Sequence, residues 1–274
     1  MTSTAVARGR APWLRIALHV IRRRRFAPLS WGLSLGLMAA LIVGVFPSIA
    51  RSKELDTLIE SYPDAVKSAF GISDASFQTI QGYMHAEIFS LVAPLTVCFF
   101  AIRALSDAIC GGEHRRALDV LLSAPLTRRE LVAGLVAGTT VVLIGILAVL
   151  GVVMWAAAVI FGVDLPAADA AAGVLGLLPL ALFSGGLAVL LAGVIHRVAT
   201  VMGLAAGILL VMYLLEVLGT LSDALDPIRP LSAFHYYGAP LEDGINGADF
   251  LGLCAAGLVL AAMGAALFER RDIL

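Results

Sequence analysis

The sequence predicts an all-α, polytopic membrane protein with six transmembrane helices. Three observations carry this. Six apolar stretches are each near or above the ~20 residues needed to cross ~30 Å of hydrocarbon at ~1.5 Å per residue. Hydrophobic residues make up 60% of the chain and charged residues only 14%, where a soluble domain has roughly 25% charged. The basic residues also gather on one side of the alternating spans. No stretch outside the spans is large enough for a core of its own, so residues 1–274 read as one transmembrane domain.

The elements follow in chain order. Trp13, Ile16, Ala17, Val20 and Ile21 recur at i, i+3, i+4, i+7 and i+8, with Arg15, His19, Arg22 and Arg23 opposite. Residues 12–25 therefore read as an interfacial helix on the inner leaflet. Pro12 starts it, and apolar burial and anionic lipid hold it. The apolar run after Arg25 exceeds the ~7–15 residues of a cleavable signal core, so it reads as a retained first span, 27–49. The other spans read as 86–110, 131–161, 170–194, 199–220 and 250–268. Between the first two spans, Leu55, Leu58, Ile59 and Tyr62 sit at helical spacing. Pro63 then opens a second short helix that Gly71 ends. Before the last span, the apolar cluster Leu231–Tyr237 reads as a re-entrant or interfacial element.

Orientation follows from arginine and lysine placement. With the N-terminus inside, the inner segments hold Arg8, Arg10, Arg15, Arg22, Arg23, Arg24, Arg25, Arg103, Arg115, Arg116, Arg128, Arg129, Arg197, Arg270 and Arg271. The outer segments hold Arg51, Lys53, Lys67 and Arg229. Six spans bring the C-terminus back inside. The chain is thus expected in the cell membrane with both termini cytoplasmic. A net charge of −1 hides this asymmetry and gives no reason to expect a nucleic-acid partner. Cys98, Cys110 and Cys254 read as small buried hydrophobes, and no metal site is expected.

Four charged residues fall within or at the ends of spans. Arg103 and Asp107 read as an i, i+4 pair, neutralised locally near the inner end of the second span. Glu87 and Glu216 lie toward outer ends, within reach of water or hydrogen-bond partners. The alternative is a polar lining of an exit path or a proton-coupled site. Gly32/Gly36, Gly134/Gly138 and Gly203/Gly207 are G-x-x-x-G pairs, which let helices approach closely.

The inner loop between the second and third spans is the most distinctive segment. Ala117, Leu118, Leu121 and Leu122 form an apolar stripe, with Glu113, Arg115, Arg116 and Asp119 around it. Pro125 stops this helix, 113–123, because the residue before a proline avoids the α region. Thr127 and Glu130 then form a capping box that starts the third span. A short cytosolic helix braced on both sides is a docking element, able to pass force from a soluble partner to the membrane.

The stretch Glu113-His-Arg-Arg-Ala-Leu-Asp-Val-Leu-Leu-Ser-Ala-Pro-Leu-Thr-Arg128 resembles the coupling segment of type-2 ATP-binding-cassette permeases. There an acidic residue, Leu-acidic-x-Leu-Leu-Ser, a proline and a Ser/Thr-Arg pair recur. Leu231–Tyr237 is similar to the outer element of that family, and Phe268-Glu-Arg-Arg-Asp-Ile273 resembles its C-terminal ending. The chain departs from the family where Arg116-Ala117 replaces a common Gly-Thr and Ser232-Ala233 a common Ser-Pro. The resemblance implies a permease subunit, not an enzyme. Cassette ATPase subunits would dock at the coupling helix and bind ATP and Mg, leaving this chain without a cofactor. A second permease chain, identical or similar, would complete the path.

The sequence agrees with a separate motor. No G-x-x-x-x-G-K-[ST] phosphate loop occurs, and Gly111-Gly112 is followed by Glu and His. The Glu-Ala-Ala…Gly loop of importer permeases is also missing, which favours export. Few buried charges suit a hydrophobic or amphipathic substrate. Close contacts between two protomers are expected at the first, second and fifth spans, through Gly32, Gly36, Gly203 and Gly207. The alternatives are an ion-gradient secondary transporter and a membrane anchor or scaffold without transport.

Overall fold

The computed structural model describes residues 12–49, 79–114, 127–221 and 225–269. Helix α1 spans Pro12–Arg23, and a π-helical turn at Pro28–Gly32 leads into α2, Leu33–Ile49. A short α3, Ile80–Met84, and a second π-helical turn, His85–Phe89, precede α4, Val92–His114. Then come α5 (Arg128–Phe161), α6 (Ala167–Ala192) and α7 (Val198–Leu221). A 3-10 turn at Asp226–Leu231 is followed by α8, Ala233–Tyr237, and by α9, Gly247–Glu269. No strand occurs among the described residues.

Six of these helices are long and apolar enough to cross a membrane: Pro28–Ser48, Val92–Gly111, Arg128–Phe161, Ala167–Ala192, Val198–Leu221 and Gly247–Glu269. They coincide with the six expected spans. The chain is an all-α polytopic membrane protein. The two short helices expected over residues 55–71 lie outside the described residues.

The ends of the spans follow local chemistry. The hydroxyl of Thr127 accepts from the Glu130 amide at 3.3 Å, and the Thr127 amide donates to Glu130 Oε2 at 3.0 Å. This is the capping box that the sequence spacing predicts. At the other end of α5, Gly162 takes the left-handed conformation, φ 66°, which a side chain would resist. The helix of the second span continues past Cys110, through Gly111 and Gly112, to His114, so Glu113 lies within α4.

The sequence expectation for 12–25 needs correction in one respect. The helix is present, but its apolar face packs on α5. Ile16, Ala17 and Val20 are buried. A Cβ added to Gly134 would meet the Trp13 carbonyl and Ile16, and one added to Gly138 would meet the Ala17 carbonyl and Val20. The same register continues downstream: Gly145 faces Pro28, Gly32 faces Val149, Gly36 faces Val153 and Gly44 faces Phe161. So α1, the turn and α2 keep step with α5 along almost its whole length. The reason is local. Ala27 and Leu33 both hold right-handed helical dihedrals, and the π turn absorbs an extra residue without breaking direction. Trp13 and Phe26 stay exposed.

Gly32 and Gly36 are therefore spent inside the protomer, against α5, and not on a partner chain. Gly203 and Gly207 differ: nothing lies within 4 Å of a Cβ added at either. Their helix, α7, is the least buried of the spans.

The tightest seam joins α6 and α9. A Cβ at Gly186 would strike the Gly257 carbonyl, and one at Gly193 would lie 2.7 Å from the Gly264 carbonyl. From the other side, a Cβ added at Gly257 would lie 2.7 Å from the Leu182 carbonyl, and one at Gly264 would lie 2.5 Å from the Val189 carbonyl. The glycines pair in rising order, so the two helices run parallel. Backbones this close leave no room for a methyl group, and in lipid such contact is the main force holding helices together.

Gly186→Ala or Gly257→Ala should thus wedge the seam apart. Overpacking of this kind costs about 1–3 kcal/mol, which lowers Tm by roughly 3–10 °C in a chain of this size. Gly203→Ala and Gly207→Ala should leave Tm unchanged. Thermal unfolding of the purified variants in detergent checks the contrast, and equal Tm values across all four would remove the seam as a structural determinant.

Candidate functional site at the two ends of the bundle

The arginine-rich end brings together α1, the end of α4, the start of α5 and the end of α9. Arg24, one of four consecutive arginines, turns inward. It donates to the Ala104 carbonyl at 3.3 Å, lies 3.8 Å from Asp107 and sits over the Phe100 ring at 5.9 Å. Asp107 therefore reaches across to α1. Arg103, expected as its partner, is exposed. A cation anchored on a carbonyl and a ring suits a site where water is scarce.

The start of α5 is tied to the last span. Arg128 donates to the Phe268 carbonyl at 2.5 Å and stacks over the Phe268 ring at 5.3 Å. Arg129 pairs with Glu269 at 2.8 Å, an exposed pair worth about 0–1 kcal/mol. Arg128 satisfies one of the last carbonyls of α9, which have no partner within their own helix. The start of α5 is thus tied to the last span, and α4 is held at Ala104 and Asp107 by Arg24, just after α1. Arg115, Arg116, Leu118, Asp119, Leu121 and Leu122 lie outside the described residues. For Glu113 only the helical backbone is described.

At the opposite end, the short elements before α9 fold onto the bundle. The Ser232 hydroxyl donates to the Met212 carbonyl at 2.7 Å, and the Tyr237 hydroxyl donates to the Phe89 carbonyl at 3.0 Å. Phe234 meets Tyr213 edge-on at 5.4 Å. The second π turn contains Phe89, and such turns free a carbonyl from the helical ladder. So the apolar cluster expected at Leu231–Tyr237 is a short helix with Ala233, Phe234 and Tyr237 buried.

Glu216 is the charged centre of this end. Arg229 grips its Oε1 through two nitrogens, at 2.7 and 3.2 Å, and also reaches Asp226 at 3.1 Å. His235 Nδ1 lies 3.6 Å from Glu216 Oε2. The hydrogen bond to Glu216, then Asp226, holds the Arg229 guanidinium above its usual pKa, against the opposing effect of burial. Glu87 is exposed on the second π turn, in line with a solvated role. Glu216 and Glu87 lie toward the same end of the bundle. Nothing in the sequence spacing singled out Arg229, Arg24 or His235: Glu216 is 13 residues from Arg229 and 19 from His235, and Ala104 is 80 from Arg24.

The family described as the C-terminal domain of the multidrug efflux system permease Rv1217c matches residues 16–269. The chain belongs to that permease family. It is a transport subunit of the membrane. No curated protein matches the chain. In this permease the match covers all six spans, the bracketed loop and both tethers of its flanking helices.

The Glu216–Arg229 pair joins α7 to the segment before α8. Both side chains are largely shielded, at 19% and 26% exposure. Glu216→Gln and Arg229→Gln should each cost about 1–3 kcal/mol, since each leaves its partner shielded and unmatched. The double variant should cost less than the sum, with a coupling of about 1 kcal/mol. Unfolding measurements on the four proteins of the cycle test this, and strict additivity would mean that the pair does not fasten the segment.

Proposed function

We propose that the chain is the permease subunit of an ATP-driven exporter of the type-2 cassette class. It moves a hydrophobic or amphipathic substrate out of the cytoplasm, using a separate ATPase that binds ATP and Mg. The observation that carries this is the bracketing of segment 115–126. Its flanking helices are held by Arg24, Asp107 and Arg128, so a push on the segment is delivered to α1, α4, α5 and α9 together. The stripe Leu118, Leu121 and Leu122 supplies knobs for a soluble partner, and the family's efflux description gives the direction of transport.

The path runs between two permease chains. Inside the bundle, the void among α4, α5, α6 and α9 is only about 10 Å³, the space of a single water. The exposed face of α7 with Gly203 and Gly207 is the surface offered to the second chain. An ion-gradient mechanism is the weaker reading, because Glu216 is already neutralised by Arg229.

Co-expression with a cassette ATPase tests both claims. Leu118→Asp and Leu122→Asp should abolish co-purification while each permease stays folded. The intact complex should contain two permease chains for two ATPases. Undiminished capture and export in both variants would remove the coupling role, and an active complex with one permease chain would remove the dimer.

The arginine-rich end faces the cytoplasm on this reading, in the cell membrane. In a chain with Cys98, Cys110 and Cys254 replaced, cysteines at Ser52 and Ala239 should react with an impermeant thiol reagent in intact cells. Cysteines at Ser123 and Thr127 should react only after permeabilisation. Labelling at Ser123 in intact cells would invert the topology.

A further inference from the structure

At the arginine-poor end, between α8, the loop after it and the start of α9, lies a two-lobed cavity. One lobe holds about 420 Å³ and the other about 240 Å³. Tyr236, Asp249 and Leu253 line both. The size of the larger lobe is that of a small-molecule site, commonly ~300–1,000 Å³.

We infer that this cavity binds an amphipathic organic cation, with Asp249 and Asp243 as its counter-charges and the Tyr236 ring as its aromatic wall. The inference rests on the export reading only for the direction in which the ligand moves. Three features carry it.

The first is division of labour between the lobes. Phe183, Leu253 and Ala256 give the larger lobe an apolar wall, while Asp243, Asn246 and His235 line the smaller one. A ligand with an apolar body and a polar head fits that order. The second is sign. No Lys or Arg lines either lobe, and among the described residues neither Asp243 nor Asp249 has an ion-pair partner. Arg229, in the turn before α8, is engaged by Glu216 and Asp226. Carboxylates in a low-dielectric cleft concentrate cations and repel anions. The third is rigidity. Asn246 Nδ2 donates to Asp249 Oδ2 at 2.7 Å, and the Tyr236 hydroxyl donates to the Pro230 carbonyl at 3.1 Å. The ring is held in place yet 40% exposed, ready for a cation over its face.

An organic ammonium could be a free solute or a lipid amine headgroup, and the test separates them. The full-length permease is placed in nanodiscs of phosphatidylglycerol without ATPase or nucleotide. It is titrated with tetraphenylphosphonium and with tetraphenylborate, ions of similar size and opposite charge. The phosphonium should bind saturably, and Asp249→Asn should weaken it about tenfold or more. Gly252→Phe should weaken it as well. Nothing lies within 4 Å of a Cβ added at Gly252, so the ring fills the larger lobe without disturbing the helix. The borate should bind no better to either variant or to the parent than to empty discs.

Adding phosphatidylethanolamine to the discs identifies the source. Weaker phosphonium binding then marks a lipid amine as the occupant, and unchanged binding marks a free solute; either result keeps the cation site. Saturable binding of the borate equal to that of the phosphonium overturns it. So does phosphonium binding untouched by both substitutions. ATP-driven export, measured separately with the ATPase, keeps the two readings apart. Export of another substrate without phosphonium binding sinks this site alone. Phosphonium binding without export sinks the exporter reading alone.

Discussion

The fold depends on backbone-to-backbone contact in a solvent that offers no hydrophobic drive. Hydrocarbon is as apolar as leucine, so spans hold together by dispersion at short range. Glycine is what makes short range available. Gly186 and Gly193 on α6 meet Gly257 and Gly264 on α9, and α6 is the most buried span as a result. Gly134 and Gly138 admit α1 to the flank of α5, while Gly32 and Gly36 admit Val149 and Val153 of α5 to α2.

Charge is handled differently at the two ends, and for a physical reason. At the arginine-rich end, cations outnumber their partners, and the inward ones rest on carbonyls and rings: Arg24 on Ala104 and Phe100, Arg128 on Phe268. These acceptors carry no net charge, so the excess of positive charge survives for the leaflet or a partner. At the far end the single described cation, Arg229, is consumed by Glu216 and Asp226. Asp243 and Asp249 are left without an ion-pair partner among the described residues.

Much of this was legible in the sequence. The spans were, because a run of apolar residues of bilayer length has few other uses. The Thr127–Glu130 box was, because its spacing is its mechanism. The short helix at Ala233–Tyr237 was, since an apolar cluster between Pro and Gly must bury itself nearby. What could not be read was who faces whom. A search for glycines four apart found three pairs, of which Gly134/Gly138 and Gly32/Gly36 do sit at close contacts, though inside the protomer. It missed the closest seam, whose glycines stand seven apart, two turns along each helix. Arg24 looked like its neighbours, and only its reach to the Ala104 carbonyl and Asp107 on α4 distinguishes it. The amphipathic pattern of α1 is the same whether its apolar face meets lipid or another helix. Of the site residues on the inner loop, 115–122, the structure adds only the anchoring of their flanks.

The register shared by α1, α2 and α5 has a mechanical meaning. At ~1.5 Å per residue, the 34 residues of α5 measure roughly 51 Å, some 20 Å more than the hydrocarbon they cross. The α1–α2 column lies alongside it for almost that distance, and α5 contains no proline to act as a joint. Two helices bonded side by side form a beam, much stiffer in bending than either alone. A beam of that length tilted by about 5° about one end carries the other through roughly 4 Å. A small rotation applied at one end of this beam therefore appears as a displacement at the other, without any side chain along the way needing to change its neighbours.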